Sequence, residues 1–141
     1  MSSGNGQSGW TIWFTGLPCS GKTTVARMAL ELYKKARCRT LMLKLGDRGL
    51  LTYRAPNEDV RSFFTVESFA GRVVDAVGAG DALLAYATLA LAATRSPVIA
   101  SILGVMAAGV ACEREGNQPV SPEEILKKLD AVEQAAKYEY A

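Results

Sequence analysis

Histidine is absent from this chain of 141 residues. The sequence therefore contains no Ser/His/Asp triad, no Cys/His dyad and no histidine-based metal site. Cysteine is scarce: the three cysteines, Cys19, Cys38 and Cys112, show no Cys-x-x-Cys or Cys/His spacing. An odd number without such a spacing predicts free thiols in a reducing compartment, and argues against a disulfide or zinc framework. Acid or base chemistry must then come from carboxylates, lysines or tyrosines.

Long runs of charge are also missing. Charged residues make up 21% of the chain and hydrophobic residues 49%, which is typical of a folded domain and not of a disordered one. The length suffices for one domain. Residues 1–9 are small and polar, so we interpret them as a flexible lead or a cloning scar without a targeting signal. We expect residues 10–141 to form a single cytoplasmic α/β domain.

The one uncharged stretch that could suggest a membrane span, residues 96–112, follows another uncharged stretch at residues 82–94. Seventeen residues lie at the lower limit for crossing a bilayer, and this stretch contains Pro97 and two glycines. Two helices buried in a globular core are therefore the favoured interpretation, with a membrane hairpin as the alternative. Residues 1–48 carry eight lysines and arginines against two acids, but apolar residues separate these charges. We therefore expect neither a membrane nor a nucleic acid as partner.

The hydrophobic pattern alternates between strand and helix periods. Residues 10–15, 21–36 and 40–45 predict a strand, a helix and a strand joined as a right-handed parallel βαβ unit. The next two apolar segments, 50–54 and 61–66, flank turn residues and predict an antiparallel hairpin. Three helices follow, over 82–94, from Ser96-Pro97 to about Arg114, and from Ser121-Pro122 to about Lys137. We expect a three-layer, Rossmann-like α/β fold with a mostly parallel sheet.

The first glycine loop is a full GxxxxGK[ST] motif between the first predicted strand and helix. Backbone amides at a helix N-terminus bind phosphate, a lysine neutralises its oxygens, and a threonine hydroxyl binds Mg²⁺. The βαβ unit is therefore expected to be a P-loop start. The alternative is a tight turn with an exposed lysine. The predicted phosphate-binding residues are Gly16, Ser20, Gly21, Lys22 and Thr23, of which Thr23 is also a candidate metal ligand.

The segment Trp13-Phe-Thr-Gly-Leu-Pro-Cys-Ser-Gly-Lys-Thr-Thr24 resembles the opening of adenylylsulfate kinases. The resemblance covers about residues 9–36. It implies a P-loop that holds ATP. A P-loop enzyme also needs an acidic metal ligand at the end of an apolar strand, and Asp47 and Asp75 are the nearby candidates.

The second glycine loop is Asp75-Ala-Val-Gly-Ala-Gly-Asp81, directly before a predicted helix. The small residues Gly78, Ala79 and Gly80 leave backbone amides exposed at a helix N-terminus, which is an anion site. Asp81 in the first helical turn could accept a proton from an attacking hydroxyl. An ordinary helix start with Asp81 as a cap explains the same residues equally well.

Residues 37–137 are similar to the C-terminal half of the ribokinase-like (PfkB) carbohydrate kinases. The similarity lies in Lys44-Leu-Gly-Asp-Arg-Gly49, in the loop that ends at Asp81, and in Gly116-Asn-Gln-Pro119. It implies that Asp81 is the catalytic base, that the amides of residues 78–80 form the anion hole, and that ATP and Mg²⁺ are bound. The nucleotide-binding residues that it implies are Lys44, Gly46, Asp47, Gly49 and Asn117.

Two resemblances in one chain suggest a chimera with a junction near residues 32–39. One hypothesis is an ATP-dependent phosphotransferase that acts on a sugar or another alcohol. The other is a non-catalytic chimeric or engineered domain that keeps nucleotide or phosphate affinity, because the half that holds the acceptor in sugar kinases is not recognisable here. A shortened sheet exposes an edge strand, so a homodimer is also expected.

Overall fold

A computed structural model describes residues 13–14, 22–54 and 62–139 of the chain. These residues form four strands and four α-helices in the order β1 α1 β2 β3 β4 α2 α3 α4. The strands are β1 (Trp13–Phe14), β2 (Thr40–Lys44), β3 (Leu50–Arg54) and β4 (Phe63–Val66). The helices are α1 (Lys22–Ala36), α2 (Ala79–Thr94), α3 (Pro97–Cys112) and α4 (Pro122–Glu139).

The described strands form one sheet in the order β1-β2-β3-β4. β1 and β2 are parallel and flank α1, as expected for a βαβ unit, and β3 and β4 form the expected antiparallel hairpin. The expectation of a mostly parallel sheet is wrong for these strands, because β2 also pairs antiparallel with β3. The reason is the connection: only residues 45–49 join β2 to β3, and a parallel crossover needs a dozen or more.

The sheet is covered on both faces. Alternate side chains of β2 and β3 point to opposite faces, as the two-residue period of a strand requires. Leu41 and Leu51 pack with α1 on one face, whereas Met42 and Leu50 pack with α2 and α3 on the other. α4 packs against α3 on the outside. The result is the layered α/β arrangement that the sequence predicts.

The helix starts confirm local predictions. Ser96 caps α3 by accepting a hydrogen bond from the Ile99 amide at 3.3 Å, with Pro97 in the first helical position. Ser121 and Glu124 exchange two hydrogen bonds at the start of α4, which is a capping box. Both signals are short-range, so the sequence alone could place them.

The α2–α3 hairpin is closely packed. A Cβ atom at Gly104 of α3 would lie 3.0 Å from the Ala87 Cβ and 3.1 Å from the Leu83 carbonyl oxygen of α2. Beneath it, the buried hydroxyls of Thr52 and Ser101 share a hydrogen bond of 2.7 Å that joins β3 to α3. In the part of the chain that the structure describes, no helix is long and apolar enough to cross a membrane.

Candidate active site

The second glycine loop forms the start of α2, as the sequence predicts. Gly78 adopts a left-handed conformation with φ of 80° and precedes Ala79, the first residue of the helix. Among the described residues, the amides of Gly78 and Gly80 have no hydrogen-bond partner, whereas the Ala79 amide donates to the Ala76 carbonyl at 3.3 Å. Two free amides at a helix N-terminus can receive an anion.

Lys44 lies beside this loop. It is the last residue of β2, and a Cβ atom built on Gly80 would lie 2.9 Å from the Lys44 Nζ. The ammonium group is thus in contact distance of the helix N-terminus, and both attract negative charge. The sequence predicted both residues as phosphate or nucleotide ligands, and the structure brings them together.

Asp81 is exposed in the first turn of α2, on the solvent side of the same loop. A carboxylate at this position stabilises the helix through its dipole and is free to accept a proton from a bound hydroxyl. The geometry therefore accommodates both roles that the sequence allowed for Asp81.

The turn at residues 116–117 closes against the glycine loop. A Cβ atom on Gly78 would lie 2.1 Å from the Asn117 Oδ1, so the amide side chain of Asn117 rests on the bare face of Gly78. Asn117 was predicted to bind nucleotide, and its position next to the anion site is new information from the fold.

Asp75 stabilises the same loop through two hydrogen bonds to its carboxylate. Its Oδ1 accepts a hydrogen bond from the Val77 amide at 2.9 Å, and its Oδ2 accepts one from the Gly116 amide at 3.1 Å. These bonds hold the pKa of the Asp75 carboxyl below its usual value. Asp75 was predicted as a metal ligand. Its two described contacts are to backbone amides, so the metal role stays a prediction.

A cleft of about 180 Å³ lies between the end of β2, the loop before α2, and α3. The 3₁₀ turn Gly46–Arg48 forms one rim. Gly49 is required by the fold, because its φ is 84° and a Cβ there would lie 2.1 Å from the Val66 carbonyl oxygen. Six of the residues that line the cleft are Lys44, Gly46, Asp47, Gly49, Ala76 and Cys112.

Sequence reasoning missed Cys112, which lines the cleft, and the contacts of its neighbour Glu113 outside the cleft. Cys112 was predicted only as a free thiol, but it lines the cleft, where burial raises the pKa of its thiol and the nearby Lys44 charge offsets part of that rise. Glu113 accepts a hydrogen bond from the Gly71 amide at 2.7 Å and pairs with Lys128 of α4. Neither residue belongs to a short motif, and only the fold brings their partners close.

The predicted P-loop is largely outside the described residues. Gly16, Ser20 and Gly21 are not described, and α1 begins at Lys22 with the side chains of Lys22 and Thr23 also undescribed. Within the described ranges, no three Asp, Glu or Cys side chains come close enough to hold a metal ion.

Known proteins resemble this chain over most of its length. The sequence profile of the pfkB family of carbohydrate kinases matches residues 13–124. The bifunctional protein HldE of Halorhodospira halophila is 32% identical over 112 residues, and that of Desulfatibacillum aliphaticivorans is 29% identical over 115 residues. These alignments cover 79% and 82% of this chain, but 23% of each relative, so the chain spans about a quarter of their length.

Solved structures agree with the sequence match. Ribokinase from Thermotoga maritima superposes with a TM-score of 0.64 and 28% identity, over 75% of this chain and 34% of that protein. Phosphofructokinase-2 from Escherichia coli gives a TM-score of 0.69 and 23% identity, over 81% and 35% of the two chains. The family match starts at residue 13 and includes the glycine loop at 16–23, so it gives no support to a junction between two families near residues 32–39. With most of its length matched, the chain belongs to the pfkB family of carbohydrate kinases.

Proposed function

We propose that this chain is the nucleotide-binding part of an ATP-dependent phosphotransferase that transfers the γ-phosphoryl group to the hydroxyl of a sugar or a related alcohol. The observation that carries the proposal is the contact of Lys44 with Gly80 at the N-terminus of α2, in a chain of the pfkB family. Both features favour bound phosphate.

The phosphates are proposed to lie at residues 78–80. The free amides of Gly78 and Gly80 would donate to the oxygens that gain charge in the transition state, and the Lys44 ammonium would neutralise them. The Ala79 amide joins them when its 3.3 Å bond to Ala76 opens. Because the loop is already held in place, little reorganisation accompanies the reaction.

Asp81 is proposed as the general base. The acceptor hydroxyl gives its proton to the Asp81 carboxylate as its oxygen attacks the γ-phosphorus, and the bond from that phosphorus to the bridging oxygen of ADP breaks. The exposed position of Asp81 leaves room for an acceptor on the solvent side of the loop. Positioning is the larger part of such catalysis, so the acceptor-binding residues decide the rate.

The remaining nucleotide is proposed to lie in the cleft, with its base toward the turn that carries Asn117. Gly46, Asp47 and Gly49 line the rim near Lys44. Mg²⁺ is proposed to arrive with ATP as part of the substrate complex, because this ion is usually bound through substrate phosphates and one or two carboxylates. Thr23 and Asp75 remain the proposed protein ligands near it. ATP as substrate fits a cytoplasmic location.

The glycine loop at 16–23 is proposed as a second phosphate cradle, with Lys22 as its cation and Gly16, Ser20 and Gly21 supplying its turn and amides. Its sequence pattern supports this proposal. The resemblance of this segment to adenylylsulfate kinases has no support other than this sequence pattern. The same is true of the proposed chimeric origin of the chain.

A second candidate function is nucleotide or phosphate binding without catalysis. The described contacts of Lys44, Gly78 and Gly80 account for phosphate binding alone, and the chain aligns with 34% of the Thermotoga ribokinase and 23% of the curated relatives. Family members hold further residues that this chain does not match. Self-association into a homodimer is proposed as well, because several large apolar side chains are exposed, among them Leu84 and Leu89 of α2.

Consumption of ATP with a panel of sugars and with adenylyl sulfate tests catalysis, and calorimetry tests binding. We expect acceptor-dependent turnover that falls about a hundredfold or more in Asp81→Asn while ATP binds nearly as before. Asp130→Asn, an exposed carboxylate of α4, is the matched control. ATP binding without turnover on any acceptor would favour the second candidate, and absence of ATP binding would refute both.

A further inference from the structure

The two oxygens of Asp75 make two different kinds of contact. Oδ1 accepts the Val77 amide two residues along the chain, which closes a local turn. Oδ2 accepts the Gly116 amide, which is 41 residues away and belongs to the turn that follows α3. One carboxylate thus shapes the glycine loop and also joins it to a separate segment.

Several described contacts join the glycine loop to the end of α3 and to the turn that follows it. Gly116 has φ of 73°, and a Cβ atom built on it would meet nothing within 4 Å, so the space beside this residue is open. Its neighbour Asn117 rests on Gly78. On the other side, the Cys112 carbonyl at the end of α3 accepts the amides of Val74 and Asp75 at 2.8 and 3.2 Å. The Gly116 amide itself donates to the Asp75 carboxylate, which is the contact that joins this amide to the glycine loop.

We propose that Asp75 is a positioning residue that holds the turn at residues 116–117 against the glycine loop. The nucleotide then binds to both segments as one preformed surface. The proposal rests on the proposed function, which sets the phosphates at residues 78–80 and the base near Asn117. Two subsites fixed at the correct separation bind a linked ligand much more tightly than either half of it. Hydrogen bonds to a charged acceptor are strong enough to hold such a junction.

The variant Asp75→Asn is expected to keep the contact with Val77 and to lose the contact with Gly116. The amide oxygen of asparagine can still accept the Val77 amide, because asparagine forms the same local turn as aspartate. Its NH₂ group then faces the Gly116 N–H, and two donors cannot bond. We expect amide hydrogen exchange at Gly116 to become about tenfold faster, with exchange at Val77 unchanged. Glu115→Gln removes the same charge one residue from Gly116 and is the matched control.

Calorimetry on the same proteins measures the consequence for binding. In Asp75→Asn, ATP is expected to bind about tenfold more weakly, whereas adenosine and pyrophosphate, tested separately, each change by less than about threefold. A merely structural role would weaken all three ligands by one factor. Such a uniform loss, unchanged exchange at Gly116, or ATP affinity equal to that of the unmodified protein would each overturn the proposal. Failure of the unmodified protein to bind ATP would overturn the proposed function, and this proposal with it.

Discussion

Gly78 excludes a side chain for two independent reasons. Its φ of 80° is strained for any residue with a Cβ, and that Cβ would lie 2.1 Å from the Asn117 Oδ1. Gly78→Ala is expected to lower the free energy of unfolding by about 3 kcal/mol, from backbone strain plus displacement of Asn117. Gly46→Ala, at φ of 66° with nothing within 4 Å, has the strain alone and should lose about 1 kcal/mol. Equal losses in urea titrations would contradict this account.

Glu113 makes stability depend on pH. Burial alone would raise its pKa, but the hydrogen bonds from Lys128 and the Gly71 amide lower it below the ordinary value of 4.5. The unfolded chain therefore takes up the proton first as the pH falls. The stabilisation is present above about pH 4.5 and disappears as the pH drops through the lower folded-state pKa.

Glu113→Gln should remove this dependence. Urea titrations between pH 7 and pH 3, with the exposed Glu115→Gln as control, are expected to give a shallower acid loss for Glu113→Gln only. If both variants lose stability in parallel with the unmodified protein, the ion pair with Lys128 contributes nothing to folding.

At the residue scale, the sequence predicts which residues belong to the site where a short motif contains them. Asp81 and residues 78–80 lie at the helix start that the glycine pattern indicates. The partner of Asp75 could not be predicted, because Gly116 lies 41 residues away and carries no signal of its own. The same holds for Cys112, whose place in the cleft follows from how α3 ends.

At the scale of elements, the α2–α3 hairpin should be sensitive to added volume. Gly104→Ala places a methyl group against Ala87 and the Leu83 carbonyl, and backbone cannot move aside cheaply. We expect a loss of about 2 kcal/mol, although alanine is normally the better helix former. Gly80→Ala in α2 meets only the flexible end of Lys44 and should cost little or stabilise. Thermal unfolding that gives the opposite order would contradict the packing argument.

The sequence predicts whether each element is a helix or a strand, but it does not predict the direction of every strand. Helix caps such as Ser96 depend on three or four neighbouring residues, so the sequence locates them well. Strand direction depends on the whole sheet. The short connection 45–49 was the available signal for an antiparallel β2–β3 pair, and the expectation of a mostly parallel sheet overlooked it.

At the scale of the whole molecule, apolar surface should drive association. Leu89 of α2 is 68% exposed and Leu84 is 40% exposed, with no charged residue between Asp81 and Arg95 on that helix. We expect a dimer at micromolar concentration and a monomer for the double variant Leu84→Lys/Leu89→Lys. Leu126→Lys, at an exposed leucine of α4, serves as control. Sedimentation that shows a monomer throughout would refute the homodimer.

The central claim is that nucleotide phosphates bind at the start of α2, and backbone amide shifts recorded during a titration with MgATP test it most directly. The account predicts saturable shifts of the Gly78 and Gly80 amides, together with Gly116. Saturable shifts confined to residues 16–23, or no saturable shift at all, would contradict it.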